Sequence, residues 1–163
     1  MKNIAFVQNK IQTLPALLQT VASWRVLNKT IAFTNGCFDI LHEGHIFSLE
    51  QAAKEADYLI VGVNADAGVQ QLKGEGRPVN NQHSRSLILA SLLVTDAIII
   101  FGEPTPLELI TAIRPDVLVK GGDYTIDQIV GAREVIASGG RVVINPVVQG
   151  YSTTGLIDKI KKL

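Results

Sequence analysis

Compact, unbroken apolar runs punctuate the chain at Ile31-Ala32-Phe33, Tyr58 to Val63, Ala97 to Phe101, Val117-Leu118-Val119 and Val142-Val143-Ile144. Runs of this length bounded by turn-forming residues read as strands buried in a sheet. Between them the periodicity becomes helical, with amphipathic stretches from Gly44 to Ala56, Ser84 to Val94, Pro106 to Ile113 and Ile126 to Ala137. Each is long enough to cover a sheet face. A strand, helix, strand, helix alternation requires crossover connections, and so predicts a doubly wound α/β fold, a parallel five-stranded sheet with helices on both faces. Upstream, Leu14, Leu17, Leu18, Val21 and Ala22 fall at helical spacing between Leu14 and Leu27, and Thr13 followed by Pro15 supplies a helix start. This predicts an N-terminal packing helix within residues 1–28, ahead of a core at 29–163. The segment Gln71 to His83 contains Gly74, Gly76 and Pro78 without a clear apolar period. It predicts a long loop, a feature that is often functional. No internal repeat, low-complexity tract or linker divides the chain, so residues 1–163 read as one domain.

Composition narrows the class of ligand. At 163 residues and 47% hydrophobic, the chain can bury one good core and is short for two. Lys+Arg and Asp+Glu are both 15, so no global field gathers nucleic acid or an anionic membrane surface, and the expected ligand is small. A single cysteine, Cys37, cannot form an internal disulfide, and Met1 to Phe6 lacks the apolar run of a leader. The longest apolar runs, such as Ala97 to Phe101, are far short of the roughly 20 residues a membrane helix needs. These features predict a cytoplasmic protein with no membrane or nucleic-acid partner.

In a doubly wound sheet, ligands bind beyond the carboxyl ends of the strands, where strand order reverses. Two strand ends stand out. After the first run the chain reads Thr34-Asn35-Gly36-Cys37-Phe38-Asp39-Ile40-Leu41-His42-Glu43-Gly44-His45, and after the fourth Lys120-Gly121-Gly122-Asp123-Tyr124. Neither is a Walker A loop or a GxGxxG fingerprint, which removes the main support for common ATPase and dehydrogenase readings. His42 and His45 fall at a helix start, where backbone N–H groups and the helix dipole already favour an anion. Three residues apart, they face the same side and can donate to one phosphate, with Gly44 allowing close backbone approach. A partial metal site or two polar helix-start residues would give the same pair. No neighbouring Cys or Glu stands at a spacing that completes a zinc site, and the strand-to-helix context favours phosphate.

The first of these segments resembles the signature of the cytidylyltransferase-like nucleotidyltransferases, a His-x-Gly-His motif after the first strand. Val63-Asn64-Ala65-Asp66, Leu72-Lys73-Gly74, Gly76-Arg77-Pro78-Val79-Asn80, Val119-Lys120-Gly121-Gly122-Asp123-Tyr124 and Ser152-Thr153-Thr154 are similar to the adenylyltransferase domain of bifunctional heptose kinase/adenylyltransferases, which make ADP-heptose for lipopolysaccharide. The likeness runs from about residue 10 to the end. It implies a Rossmann-like sheet of order 3-2-1-4-5, which sets the two unusual strand ends side by side. It also implies transfer of AMP from ATP, with Mg²⁺, to a sugar 1-phosphate such as D-glycero-D-manno-heptose 1-phosphate. A homo-oligomer and a separate upstream heptose kinase follow from the same resemblance, since no kinase segment is present in the sequence. Within the family a glycerol-3-phosphate cytidylyltransferase is the alternative, disfavoured because Gly150-Tyr151-Ser152-Thr153-Thr154-Gly155 lacks that enzyme's final motif. Tyr151 and Gly155 also depart from the heptose pattern. A non-catalytic nucleotide-binding module is the alternative of another class, and the presence of both histidines speaks against it.

The resemblance assigns catalytic roles to His42, His45, Lys73 and Lys120. It assigns nucleotide contacts to Thr34, Asn35, Gly36, Phe38, Asp39, Gly44, Asn64, Arg85, Gly121, Asp123, Ser152, Thr153 and Thr154, and acceptor contacts to Arg77 and Tyr124. No metal ligand is expected from the protein. Each role has an ordinary structural counterpart. Lys73 and Arg77 read equally as solvated loop charges, and Lys120 as a strand-end lysine snorkelling to solvent. Arg85 opens a helix, where the dipole disfavours a cation unless an anion meets it. Ser152 to Thr154 precede the final apolar helix and can serve as caps, which is also an anion-binding arrangement. Cys37 reads as a small packing residue.

Overall fold

The computed structural model describes residues 5–146 and 150–163, so the first four residues read above for a leader lie outside it. The apolar runs form β1 (Ile31–Gly36), β2 (Tyr58–Asn64), β3 (Ala97–Phe101), β4 (Val117–Gly121) and β5 (Arg141–Asn145). All pair in parallel, in the order β3-β2-β1-β4-β5. The helices are α1 (Ala5–Asn9), α2 (Leu14–Val26), α3 (Glu43–Ala53), α4 (Asp66–Lys73), α5 (Gln82–Ala90), α6 (Leu107–Ile113), α7 (Ala132–Ala137) and α8 (Thr153–Ile160). The predicted doubly wound sheet is therefore the observed one.

Strand residues alternate between two cores. Ile31, Phe33, Ile60, Ile99 and Leu118 meet Leu17 and Val21 of α2, Ile110 and Ile113 of α6 and Val135 of α7. Ala32, Leu59, Val61, Ile98 and Val119 meet Leu49 and Ala52 of α3 and Leu89 and Ala90 of α5. Each such Leu, Ile or Phe contributes about 1.5–3 kcal/mol of burial. Strand entry has its own device: the residue just before β2, β3 and β4 is an aspartate. Asp57 accepts from Thr30 N, Asp96 from Leu59 N and Asp116 from Ile31 N, at 2.8–2.9 Å, so each locks the start of a neighbouring strand.

The sheet's β3 edge is covered by the N-terminal segment. Gln12 N donates to Ile98 O and Ile98 N to Lys10 O, at 2.9 and 2.7 Å, while Trp24 stacks on Tyr58 with ring centroids 4.1 Å apart. Two expectations are corrected. Gln71 to His83 is not one loop, because α4 continues to Lys73 and α5 begins at Gln82. Val69 is the one buried side chain of α4, so an apolar period is absent from the sequence. The stretch Ile126 to Ala137 is not one helix but a single turn at Ile126–Gln128 followed by α7. It breaks at Gly131, where φ is +86° and a Cβ would stand 2.6 Å from Ile110 Cδ1. Among the described residues no helix is long and apolar enough to cross a membrane.

Candidate functional site

The strands end together on one rim of the sheet. β1 carries Asn35 and Gly36 beyond its apolar run, and the chain then turns through Cys37 to Ile40 before α3. Phe38 and Ile40 hold φ of +48° and +51°, a region that costs a non-glycine residue about 1–2 kcal/mol. Hydrogen bonds on both sides hold this turn. The Asp39 carboxylate, 1% exposed, accepts from Arg77 Nε at 2.8 Å, Val79 N at 2.9 Å and Asn80 N at 3.0 Å. Burial pushes its pKa up, but the two amides and Arg77 together outweigh it and hold the carboxyl below its ordinary value. On the other side Arg85, also 1% exposed, donates from Nη1 to Cys37 O at 2.6 Å and from Nε to Asn80 O at 3.0 Å. Its Nη2 donates to Asn64 O at 2.7 Å and to Asp66 Oδ1 at 2.8 Å.

The two histidines stack at the start of α3, with ring centroids 3.9 Å apart. His42 is the N-cap, and its backbone N–H donates to His45 Nδ1 at 3.4 Å. The neutral ring of His45 therefore carries its proton on Nε2, which makes that atom the donor. Phe38 flanks the other side of His45 at 5.6 Å. Burial, then the neighbouring His42, push the His45 pKa down to about 4, against the pull of Asp39, while burial lowers that of His42. His42 Nδ1 is buried without a hydrogen-bond partner. A Cβ at Gly44 would lie 3.2 Å from the His42 ring and 3.1 Å from Tyr151 Cβ, so a side chain there would push one of them by a few tenths of an ångström. The Tyr151 hydroxyl donates to Glu43, which raises the phenol pKa and ties the segment before α8 to the start of α3.

A cavity of about 620 Å³ opens at this rim. Of the residues singled out in the sequence, Thr34, Asn35, Gly36, Phe38, His45, Asn64, Lys73, Lys120, Gly121 and Tyr124 line it, together with Cys37. Lys120 Nζ stands 3.5 Å from Asn35 Oδ1 and 5.9 Å from the Tyr124 ring centroid, and burial lowers its pKa. His42, stacked on His45, and Gly44 are not part of the wall. Arg77 and Asp39 bond each other, and Asp123 is exposed on its turn, outside the wall. Arg85, expected to meet an anionic ligand, is instead drawn inside the fold because three backbone carbonyls and Asp66 converge on its guanidinium. Ser152 caps α8 by accepting from Gly155 N at 3.0 Å, and Thr153 Oγ1 donates to Asp39 O at 2.8 Å, so α8 starts beside the turn that precedes α3. Thr154 is exposed.

The wall also contains Ser48, Leu72, Pro104, Thr105, Pro106 and Gln128, which sequence reasoning did not single out. Two signals pointed to them: Ser48 lies one turn after His45, and Pro104 to Pro106 follow β3 at its carboxyl end. Among the described residues no three His, Cys, Asp or Glu side chains group to hold a metal, and both oxygens of Asp39 are already bonded. Two lysines and a donor imidazole around a cavity can bind phosphate groups and stabilise charge developing on them.

Comparison with known proteins agrees with this geometry. The family model described as cytidylyltransferase-like matches residues 33–159. A bifunctional protein HldE of Koribacter versatilis (strain Ellin345) is 51% identical over 158 residues, covering 97% of this chain and 32% of the relative. One from Mesorhizobium japonicum is 54% identical over 141 residues, covering 86% and 28%. The chain thus spans about a third of the length of these curated relatives. Among solved structures, a lipopolysaccharide core biosynthesis protein from Thermoplasma volcanium GSS1 superposes with a TM-score of 0.60 at 26% identity, covering 76% of this chain and 99% of that one. A pantoate-beta-alanine ligase from Francisella tularensis, at 15% identity and a TM-score of 0.61 over 94% of this chain and 78% of that one, shares the fold. With a family model matched from the first strand to the last helix, and a phosphate-suited cavity at the strand ends, the chain belongs to the cytidylyltransferase-like family and is a nucleotidyltransferase.

Proposed function

We propose that this chain transfers AMP from ATP to D-glycero-D-manno-heptose 1-phosphate, releasing pyrophosphate and forming ADP-heptose. The observation that carries the proposal is the convergence of His45, Lys73 and Lys120 on one cavity at the β1 and β4 ends. The acceptor's phosphate oxygen attacks the α-phosphorus in line, a new P–O bond forms, and the bond to the β-phosphate oxygen breaks. The acceptor phosphate is already ionised at neutral pH, so the reaction needs positioning and cationic stabilisation more than a base. His45 Nε2 would donate to the α-phosphate region, with His42 stacked behind it. Lys120 and Lys73 would neutralise phosphate oxygens. Mg²⁺ would neutralise the triphosphate.

The sugar has room and partners in the same cavity. Asn35, Asn64, Thr105, Tyr124 and Gln128 supply donors and acceptors suited to hydroxyls. The heptose acceptor also draws support from the 51% identity to a bifunctional protein HldE and from the motif series in the sequence. The test is pyrophosphate release with each of ATP, CTP, GTP and UTP, crossed against D-glycero-D-manno-heptose 1-phosphate and glycerol 3-phosphate. Release with ATP and heptose phosphate is expected. Release with CTP and glycerol phosphate would replace donor and acceptor, and no release with any pair would overturn the reaction.

A further inference from the structure

We propose that Arg85 is the positioning residue of this site, a buried guanidinium that holds the ends of β1 and β2 and the strained turn before α3 in the geometry that seats His45. The kinetic half of the proposal rests on the nucleotidyl-transfer reading; the structural half does not. Arg85 is among the largest fully buried side chains of the described residues. An arginine in the first turn of an exposed helix would leave its head in water, and burying it costs heavily unless its N–H groups find acceptors. Four do, and their acceptors lie in separate segments: Cys37 after β1, Asn64 at the end of β2, Asp66 at the start of α4, and Asn80 before α5.

Cys37 and Asn64 both line the cavity. The bond to Cys37 O tethers the chain one residue before Phe38, whose φ of +48° is a conformation the turn would leave if released. The Phe38 ring in turn flanks His45 at 5.6 Å. Loss of the tether thus reaches the donor imidazole through one aromatic contact. Arg85 is outside the cavity wall, so a direct grip on the nucleotide would require it to give up these bonds.

Cys37 makes the proposal measurable, because it is the sole cysteine of the sequence and burial pushes its thiol pKa up. In the intact protein it should react slowly with an aromatic disulfide reagent. R85K and R85Q should stay folded by circular dichroism well below the melting midpoint, while Cys37 labels about tenfold faster or more as the turn opens locally. Turnover should fall by about 100-fold in R85Q, the scale of a small misplacement, with affinity for a non-hydrolysable ATP analogue within about threefold. Methylguanidinium added to R85A should slow labelling and recover part of the turnover.

Unchanged labelling in the folded variants would overturn the proposal, as would labelling that rises only with global unfolding. Analogue affinity that falls with turnover in R85Q but not in R85K would also overturn it, by making Arg85 a charge on the nucleotide. Should R85Q fail to fold, D66A removes one acceptor and carries the same readouts. Absence of transfer by the unmutated protein would sink the reaction but leave the labelling result to decide on the tether.

Discussion

Replacing His45 tests the donor that the proposed reaction requires at the phosphate. Its Nδ1 accepts from His42 N, so the imidazole is oriented with Nε2 as the outward donor. Truncation to Ala removes that donor and the stacking partner of His42, and by the scale of a lost oxyanion donor should lower kcat about 100- to 1,000-fold, or about 2.7–4 kcal/mol. H45Q keeps an amide N–H at similar reach and should fall between Ala and the native residue. The same variant tests the electrostatics. Folded His45 titrates near 4 and unfolded His near 6.5, so between these values the unfolded chain binds the extra proton. Stability is then complete above pH 6.5 and is lost as pH falls towards 4, by at most about 3 kcal/mol, and H45Q should flatten that part of the acid limb. Pyrophosphate release and urea melts at several pH values measure both. Near-native turnover in H45A would refute the donor role. A limb near pH 6.5 in kcat/KM that disappears in H45Q would refute the depressed titration.

Four further outcomes are expected. K120M should lower kcat/KM about 100-fold in the same assay, with K120R recovering little because a planar guanidinium cannot occupy the half-buried space beside Asn35 and Tyr124. G44A should lower turnover about tenfold while leaving the protein folded, since its Cβ displaces the His42 ring and Tyr151. G131A should cost about 2–4 kcal/mol in denaturant melts through its positive φ and the clash with Ile110, without changing kcat where the protein is folded. L17A should cost about 3–5 kcal/mol, because α2 forms part of the core beneath β1 and β3 rather than an appendage.

What the sequence reveals here depends on whether a force leaves a mark in side-chain order. Strands buried on both faces must be apolar at their centres, so β1 to β4 are legible as runs, half-buried β5 keeps the shorter run Val142 to Ile144, and their parallel pairing follows from the helices between them. α4 buries Val69 alone and leaves no period to find. The aspartates at positions 57, 96 and 116 do leave a mark, a carboxylate immediately before an apolar run, whose meaning emerges only when its acceptor role across to the next strand is seen. The candidate site divides in the same way. His45, Lys73 and Lys120 are chosen by type, because phosphate requires donors and cations, and type is what a sequence displays. Arg85 is held by the carbonyls of Cys37, Asn64 and Asn80, and a carbonyl is the same whatever residue bears it. A cation at a helix start therefore reads as a ligand contact until its burial is known. Asp39 is the complement, accepting from the amides of Val79 and Asn80 while Arg85 donates to the Cys37 carbonyl on the turn that Asp39 belongs to. Because backbone donors and acceptors are fixed in place, neither side chain can do the other's work, and the strained turn at Phe38 needs both.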